Sequence, residues 1–226
     1  MILPYVLATL VYIPIAYHLI SKGQDIPYSY VELQPTELLV GYDEKTEKPI
    51  TVDMLRTPHI LITGLSGQGK SRMVRTMLLN IRNADIIVCN AYQDDYKSVQ
   101  ARFINGEENI KVYLKSIIES PAIRERPLYI VFEELATIKD KDNIKIIKEL
   151  LCVARHYNIF VVGVIQIATK EELKFKSYFN ARLSFRQLDD SAYRVVLCTS
   201  LDRVLNKQEF ALLSDDLYYG RTYDIN

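Results

Sequence analysis

The sequence predicts an α/β fold of the P-loop NTPase type, a mainly parallel sheet flanked by helices, with an N-terminal hydrophobic helix ahead of it. Three observations carry this. Apolar runs of strand length alternate with amphipathic runs of helix length from residue 38 onward, the pattern of a parallel sheet covered on both faces. Gly64, Leu65, Ser66, Gly67, Gln68, Gly69, Lys70 and Ser71 fit the phosphate-binding loop G-x-x-x-x-G-K-[ST]. A separate apolar run, Leu128–Phe132, closes on two adjacent carboxylates, Glu133 and Glu134.

Taken in order, Leu38–Tyr42, a polar turn and Pro49–Val52 read as strand, turn, strand. Ile60–Thr63 is apolar and β-branched, a buried strand leading into the loop. Lys70–Arg82 places Met73, Met77, Leu78 and Ile81 at helical spacing. Asp85–Asn90 is a short buried strand, and Asn109–Ile118 is a helix with Ile110, Leu114, Ile117 and Ile118 on one side. Leu128–Phe132 is the next strand, Asn143–His156 the next amphipathic helix, and Ile159–Ile165 a continuous apolar strand ending at Gln166. Arg182–Phe185 and Leu217–Tyr223 read as the last strands.

The chemistry follows from where these residues fall. Glycines in the loop let successive N–H groups converge on phosphate oxygens, and the helix that follows adds its positive dipole end. Lys70 is expected to reach the β- and γ-phosphates of ATP, and the Ser71 hydroxyl to hold Mg²⁺. Parallel sheets place ligands at the carboxyl ends of their strands. Glu133 is therefore assigned to Mg²⁺ and Glu134 to the attacking water, as general base. Gln166, ending the next strand, falls beside the γ-phosphate. Arg155 closes a helix, where it either complements the dipole or acts on a neighbouring subunit's nucleotide. Arg182 and Arg194 are rivals for that second role.

Composition narrows the partners. Lys+Arg and Asp+Glu are both 28, so the bulk charge is zero and any nucleic-acid contact must come from a local patch or a shared channel. Lys170, Lys174, Lys176 and Arg186 form the candidate patch, diluted by Glu171 and Glu172; a charge run of this kind is more often a solvated face. Cys89, Cys152 and Cys198 are odd in number and widely spaced, which suits free thiols. From Met1 to Ile20 there is no Lys, Arg, Asp or Glu, and the run is about long enough to cross a bilayer core of ~30 Å. It lacks the basic start of a signal peptide. The organisation expected is a single-pass anchor over residues 1–21, a linker over 22–37 broken by Gly23, Pro27 and Pro35, and an ATPase domain over 38–226 on the cytoplasmic side or in a virion. A buried core helix is the rival reading of the first segment.

Together the pieces resemble the FtsK/SpoIIIE/HerA-like DNA-pumping ATPases. Leu39–Asp43, Pro49–Leu55 and Pro58–Gly64 are similar to that family's lead-in hairpin and "P-H-L-L-I-x-G" strand. The loop matches at Gly64, Gly69, Lys70 and Ser71, Pro127–Ile138 resembles "P-Y-I-V-V-I-D-E-F-A-D-L", and Arg155–Gln166 resembles "R-A-A-G-I-H-L-V-L-A-T-Q". Phe179–Leu197 is similar to the "N…R-I-A-F…D-S-R-x-I-L" segment. The chain departs from the family in carrying Glu133 for its aspartate, Asn158 for its glycine, Ile167-Ala168 for its "R-P", and Ser191 three residues before Arg194.

The resemblance implies a minimal motor, like those of viral genome packaging or mobile elements. It further implies a homo-hexameric or other ring acting on double-stranded DNA, with Lys70, Ser71, Glu133 and Glu134 acting in cis and Arg155 or Arg194 in trans. A membrane-associated secretion or assembly ATPase, and a scaffold that binds nucleotide without turnover, are the alternatives.

Overall fold

A computed structural model describes residues 25–166 and 175–225. The expected anchor over residues 1–21, residues 22–24 of the linker, Ile167-Ala168 and the basic candidates Lys170 and Lys174 lie outside the described residues. Among the described residues no helix is long and apolar enough to cross a membrane.

The elements form where their sequences direct. β1 (Glu37–Asp43) and β2 (Pro49–Asp53) make a hairpin whose turn is closed by the Asp43 carboxylate, which accepts from the Lys45 and Thr46 N–H groups. β3 (Ile60–Thr63) is wholly buried and runs through the loop into α1 (Lys70–Asn80). That helix stops two residues short of the expected Arg82. Asn80 turns inward to bond both the N–H and C=O of Val31, and Arg82 folds back onto the Leu79 and Ile81 carbonyls. β4 (Asp85–Cys89), β5 (Arg102–Ile104), α2 (Glu107–Glu119) and β6 (Leu128–Phe132) follow. α3 (Lys141–Val153) is capped by the Asp140 carboxylate on the Asn143 N–H. It gives way to a 3₁₀ turn (Ala154–Tyr157) that ends at Asn158 with φ 59°. Asparagine tolerates that left-handed geometry better than other side chains, so it can stand where glycine usually does.

β7 (Ile159–Ile165) is buried along its whole length. β8 (Ala181–Ser184), α4 (Asp190–Leu197), β9 (Glu209–Leu213) and β10 (Leu217–Arg221) complete the chain. All ten strands form one sheet in the order β2-β1-β10-β9-β8-β3-β7-β6-β4-β5. From β8 to β5 the neighbours are parallel, and from β8 to β2 they are antiparallel. The sheet is thus mixed rather than mainly parallel. β9 follows α4 on the far side of β8, and a short β9–β10 hairpin then extends the edge without crossovers. One face packs α1 with Met73, Val74, Met77 and Leu78; the other packs α2, α3 and α4 through Leu114, Leu150 and Val196.

Residues 26–33 lie on this scaffold. Ile26, Tyr28, Val31 and Leu33 pack on Leu39, Tyr42 and Tyr223, Tyr28 N–H donates to Asp224 O (2.7 Å), and Asp224 N–H returns to Ile26 O (2.8 Å). Arg72 and Arg221 both pair with Asp25.

His59 aligns the central strands. Its ring is buried, with Nδ1 accepting from the Val161 N–H (3.0 Å) and Nε2 facing Leu151 O (3.1 Å). Both contacts are satisfied by one neutral tautomer, with the proton on Nε2. Burial lowers its pKa from 6.5 to about 4. Between those values the unfolded chain holds the extra proton, so stability rises with pH across the window and is lost as pH falls through it. The span is worth about 3 kcal/mol. Urea denaturation at about pH 7 and about pH 4.5 will show a steeper loss in the wild type than in His59→Gln, by roughly 2–3 kcal/mol. Equal slopes would show that His59 does not set this dependence.

Candidate nucleotide-binding and hydrolysis site

The loop between β3 and α1 is shaped by what lies beneath it. Gly64 has φ 143° and its missing Cβ would come within 2.6 Å of Phe185 Cβ, while Gly69 has φ 123° over the same ring. Glycine is needed at both positions, for conformation and for room. Leu65 N–H is tied to Arg186 O (3.0 Å), and Gln68 O accepts from the Gln208 N–H (2.9 Å). Of the four helices described, α1 alone has neither a side-chain cap nor an acidic residue in its first turn. Its first N–H groups have no side-chain partner, which makes this helix start an anion site.

Lys70 stands at the mouth of the loop. Its Nζ donates to Gly64 O (2.7 Å) and Leu65 O (2.9 Å), and burial pulls its pKa down while Glu134 and Glu133 pull it up. Ser71 Oγ donates to Glu133 Oε1 (2.8 Å), and the second oxygen of that carboxylate accepts from the Tyr96 hydroxyl. A hydroxyl and a carboxylate side by side are hard oxygen donors that suit Mg²⁺, which takes one or two carboxylates and completes its shell with phosphate and water. Among the described residues no three His, Cys, Asp or Glu side chains converge on a point, so a metal cage made of protein alone is not built here. The residues present fit a nucleotide-borne Mg²⁺. Burial raises the Glu133 pKa, opposed by the hydrogen bonds from Tyr96 and Ser71.

Glu134 begins the loop after β6. Burial raises its pKa, opposed by the N–H groups of Ala136 and Gln166 and by the Lys70 charge; its Oε1 is buried with no hydrogen-bond partner among the described residues. A carboxylate whose pKa is raised by burial, with one oxygen unpartnered among the described residues, has the properties of a general base. The sheet order puts β7 between β3 and β6, so Gln166 at the end of β7 lies between the loop and the acids.

Ser66, Gly67, Gly69, Lys70, Ser71, Glu133, Glu134 and Gln166 thus line one cleft of about 480 Å³. Gly64, Leu65 and Gln68 belong to the same loop but are not among the residues that line the cleft. The arginines are elsewhere. Arg155 precedes β7, at the sheet edge opposite the loop and about 23 Å away at the rise of a strand. Arg194 is exposed on α4 with Nε on Ser200 Oγ (2.7 Å). Arg182 is turned onto the end of α4, donating to Val196 O (3.2 Å) and Cys198 Sγ (3.2 Å).

Sequence reasoning did not reach several residues that also line the cleft: Arg72, Asn90, Tyr92, Asp95, Lys207 and Gln208. Nor did it reach Tyr96, which lies behind the cleft against Glu133. Asn90, Tyr92 and Asp95 follow β4, and the rule that loops at the carboxyl edge line the site would have found them. Lys207 and Gln208 precede an antiparallel strand and carry no such signal; Gln208 sits at φ 68° with its N–H on the phosphate loop.

The sequence profile of the FtsK/SpoIIIE family matches residues 28–84, from the packed N-terminal segment through the end of α1. Among solved structures the chain is similar to the monomer form of the conjugation coupling protein TcpA of pCW3 with ATPγS. The TM-score is 0.73 at 19% identity, covering 88% of this chain and 69% of that one. It is similar to the cytoplasmic domain of the Thermomonospora curvata type VII secretion ATPase EccC, with TM-score 0.71 at 15% identity, covering 89% of this chain but 28% of that one. It is also similar to the genome packaging NTPase B204 of Sulfolobus turreted icosahedral virus 2 with ATPγS, with TM-score 0.56 at 10% identity, covering 75% of this chain and 99% of that one. A search among curated proteins finds no match. Identities this low speak to the fold; on the two together the chain has a P-loop ATPase fold, and its stretch through the phosphate loop matches the FtsK/SpoIIIE family profile.

Proposed function

We propose that this chain is an ATP-hydrolysing motor that translocates double-stranded DNA, in viral genome packaging or plasmid or mobile-element transfer, from a membrane-anchored homo-oligomeric ring. One observation carries the chemistry: Lys70, Ser71, Glu133, Glu134 and Gln166, drawn from three neighbouring parallel strands, line a single cleft over an uncapped helix start. The likeness to a conjugation coupling protein and to a genome packaging NTPase supports DNA as the substrate.

The loop N–H groups and Lys70 bind and orient the triphosphate. Ser71 and Glu133 hold Mg²⁺, which when bound neutralises charge on the β- and γ-phosphates. Glu134 takes the proton of the attacking water through its free oxygen. Gln166, beside it, couples the loss of the γ-phosphate to β7. Arg155 and Arg194 lie outside the cleft and exposed, as an arginine completing a neighbour's site must be. Arg182 is committed to α4 and is the weaker candidate. The anchor is assigned to residues 1–21.

A second reading has specific support. The chain is also similar to EccC ATPases 2 and 3 from Thermomonospora curvata in complex with a signal sequence peptide, so a secretion motor of the same fold is the alternative.

Purified protein is expected to hydrolyse ATP faster with double-stranded DNA, and Glu134→Gln to lose at least about 100-fold in turnover while still binding ATP. Turnover indifferent to DNA would remove the DNA reading and favour the secretion one; tight binding with negligible turnover in the wild type would favour a scaffold. Mixing Lys70→Ala subunits with an Arg155→Ala or Arg194→Ala variant restores activity only for the arginine that acts in trans. Recovery with neither arginine would mean that the completing residue is another. Full-length protein is expected in the membrane fraction, and protein lacking residues 1–22 in the soluble fraction.

A further inference from the structure

Tyr96 ends the 3₁₀ segment Gln93–Tyr96 after β4, and its side chain is 2% exposed. The ring is wedged in the core on the α1 face, 6.2 Å from the Phe103 ring of β5. Packing of this kind fixes the direction of the hydroxyl. That hydroxyl donates to one oxygen of Glu133, and the other oxygen faces Ser71 Oγ at 2.8 Å. The carboxylate is therefore held at both ends by groups from different elements, β4's loop and α1.

The arrangement answers a difficulty of the sequence. Glutamate has one more rotatable bond than aspartate, so its carboxylate at a strand end has more positions to occupy and loses more freedom on being fixed. Tyr96 removes that freedom from the side away from the nucleotide. We infer that Tyr96 is a positioning residue: its hydroxyl pins Glu133 so that one oxygen is presented, beside Ser71, to a nucleotide-borne divalent cation. This rests on the nucleotide-site reading given above. A tyrosine that merely satisfied its own hydroxyl in the core would leave divalent-ion affinity alone.

The test is binding rather than turnover. A fluorescent ATP analogue is titrated with and without Mg²⁺, and Mn²⁺ occupancy of the protein–nucleotide complex is read by electron paramagnetic resonance. Tyr96→Phe keeps the ring and is expected to weaken divalent-ion affinity about tenfold, the usual loss when an outer partner of a ligand is removed, while metal-free nucleotide binding stays within twofold. In Glu133→Asp, whose shorter side chain does not need the tether, Tyr96→Phe is expected to change ion affinity less than about twofold. The inference is overturned if Tyr96→Phe leaves Mn²⁺ occupancy unchanged, if it weakens the ion equally in both backgrounds, or if it weakens metal-free nucleotide binding as much. Failure of the underlying reading looks different: nucleotide binding would then survive Lys70→Ala, and Mn²⁺ occupancy would survive Glu133→Ala.

Discussion

The site depends on one unsatisfied feature, the bare start of α1. Helices elsewhere in the fold close their first turn with an aspartate, as α3 does with Asp140 and α4 with Asp189, or place glutamates there, as α2 does. α1 does neither. Its first N–H groups and the positive end of its dipole face the cleft, a cost in the folded protein that an anion relieves. The glycines and Phe185 make that exposure possible by letting the chain leave β3 and enter the helix without a side chain in the way. Lys70, bound meanwhile to the carbonyls of Gly64 and Leu65, adds a desolvated cation to the same spot.

The strand order brings the two carboxylates and Gln166 to this anion site. Had β6 lain directly beside β3, the acids would crowd the loop. With β7 between them, Gln166 fills the space and the carboxylates stand one strand further off, with Glu133 still reaching Ser71. His59 helps keep this register: a single neutral ring bridges the start of β3, the N–H of Val161 in β7 and the end of α3. The same burial that makes the ring a good strut makes it sensitive to acid.

Much of this was legible in the sequence, because the parallel half of the fold writes itself as hydrophobic runs. Ile60–Thr63, Leu128–Phe132 and Ile159–Ile165 were readable to the residue. Their carboxyl ends carried Lys70, Ser71, Glu133, Glu134 and Gln166 into one cleft. The antiparallel half was less legible. Glu209–Leu213 follows a long irregular stretch after α4, and in the parallel half Arg102–Ile104 is too short to show a pattern. α4 escaped notice because Ser191, three residues before Arg194, reads as a displaced motif, whereas its hydroxyl donates to Asp189, whose carboxylate caps the helix. Tyr96 and Gln208 were invisible for a different reason. Their roles come from contacts 37 residues away in one case and, in the other, from a left-handed backbone pinned to the phosphate loop, and no local pattern encodes either.

The placement of the arginines constrains any assembly. The cleft opens at the carboxyl edge of the parallel strands, and Arg155 lies at their amino edge. A residue there cannot serve its own nucleotide, and an interface that brings it to a neighbour's cleft must set the amino edge of one subunit against the carboxyl edge of the next. Subunits that meet head to tail, through unlike surfaces, satisfy this. Such contacts close into a ring or run on into a filament. An arginine acting in trans would therefore fix which edges of neighbouring subunits face each other.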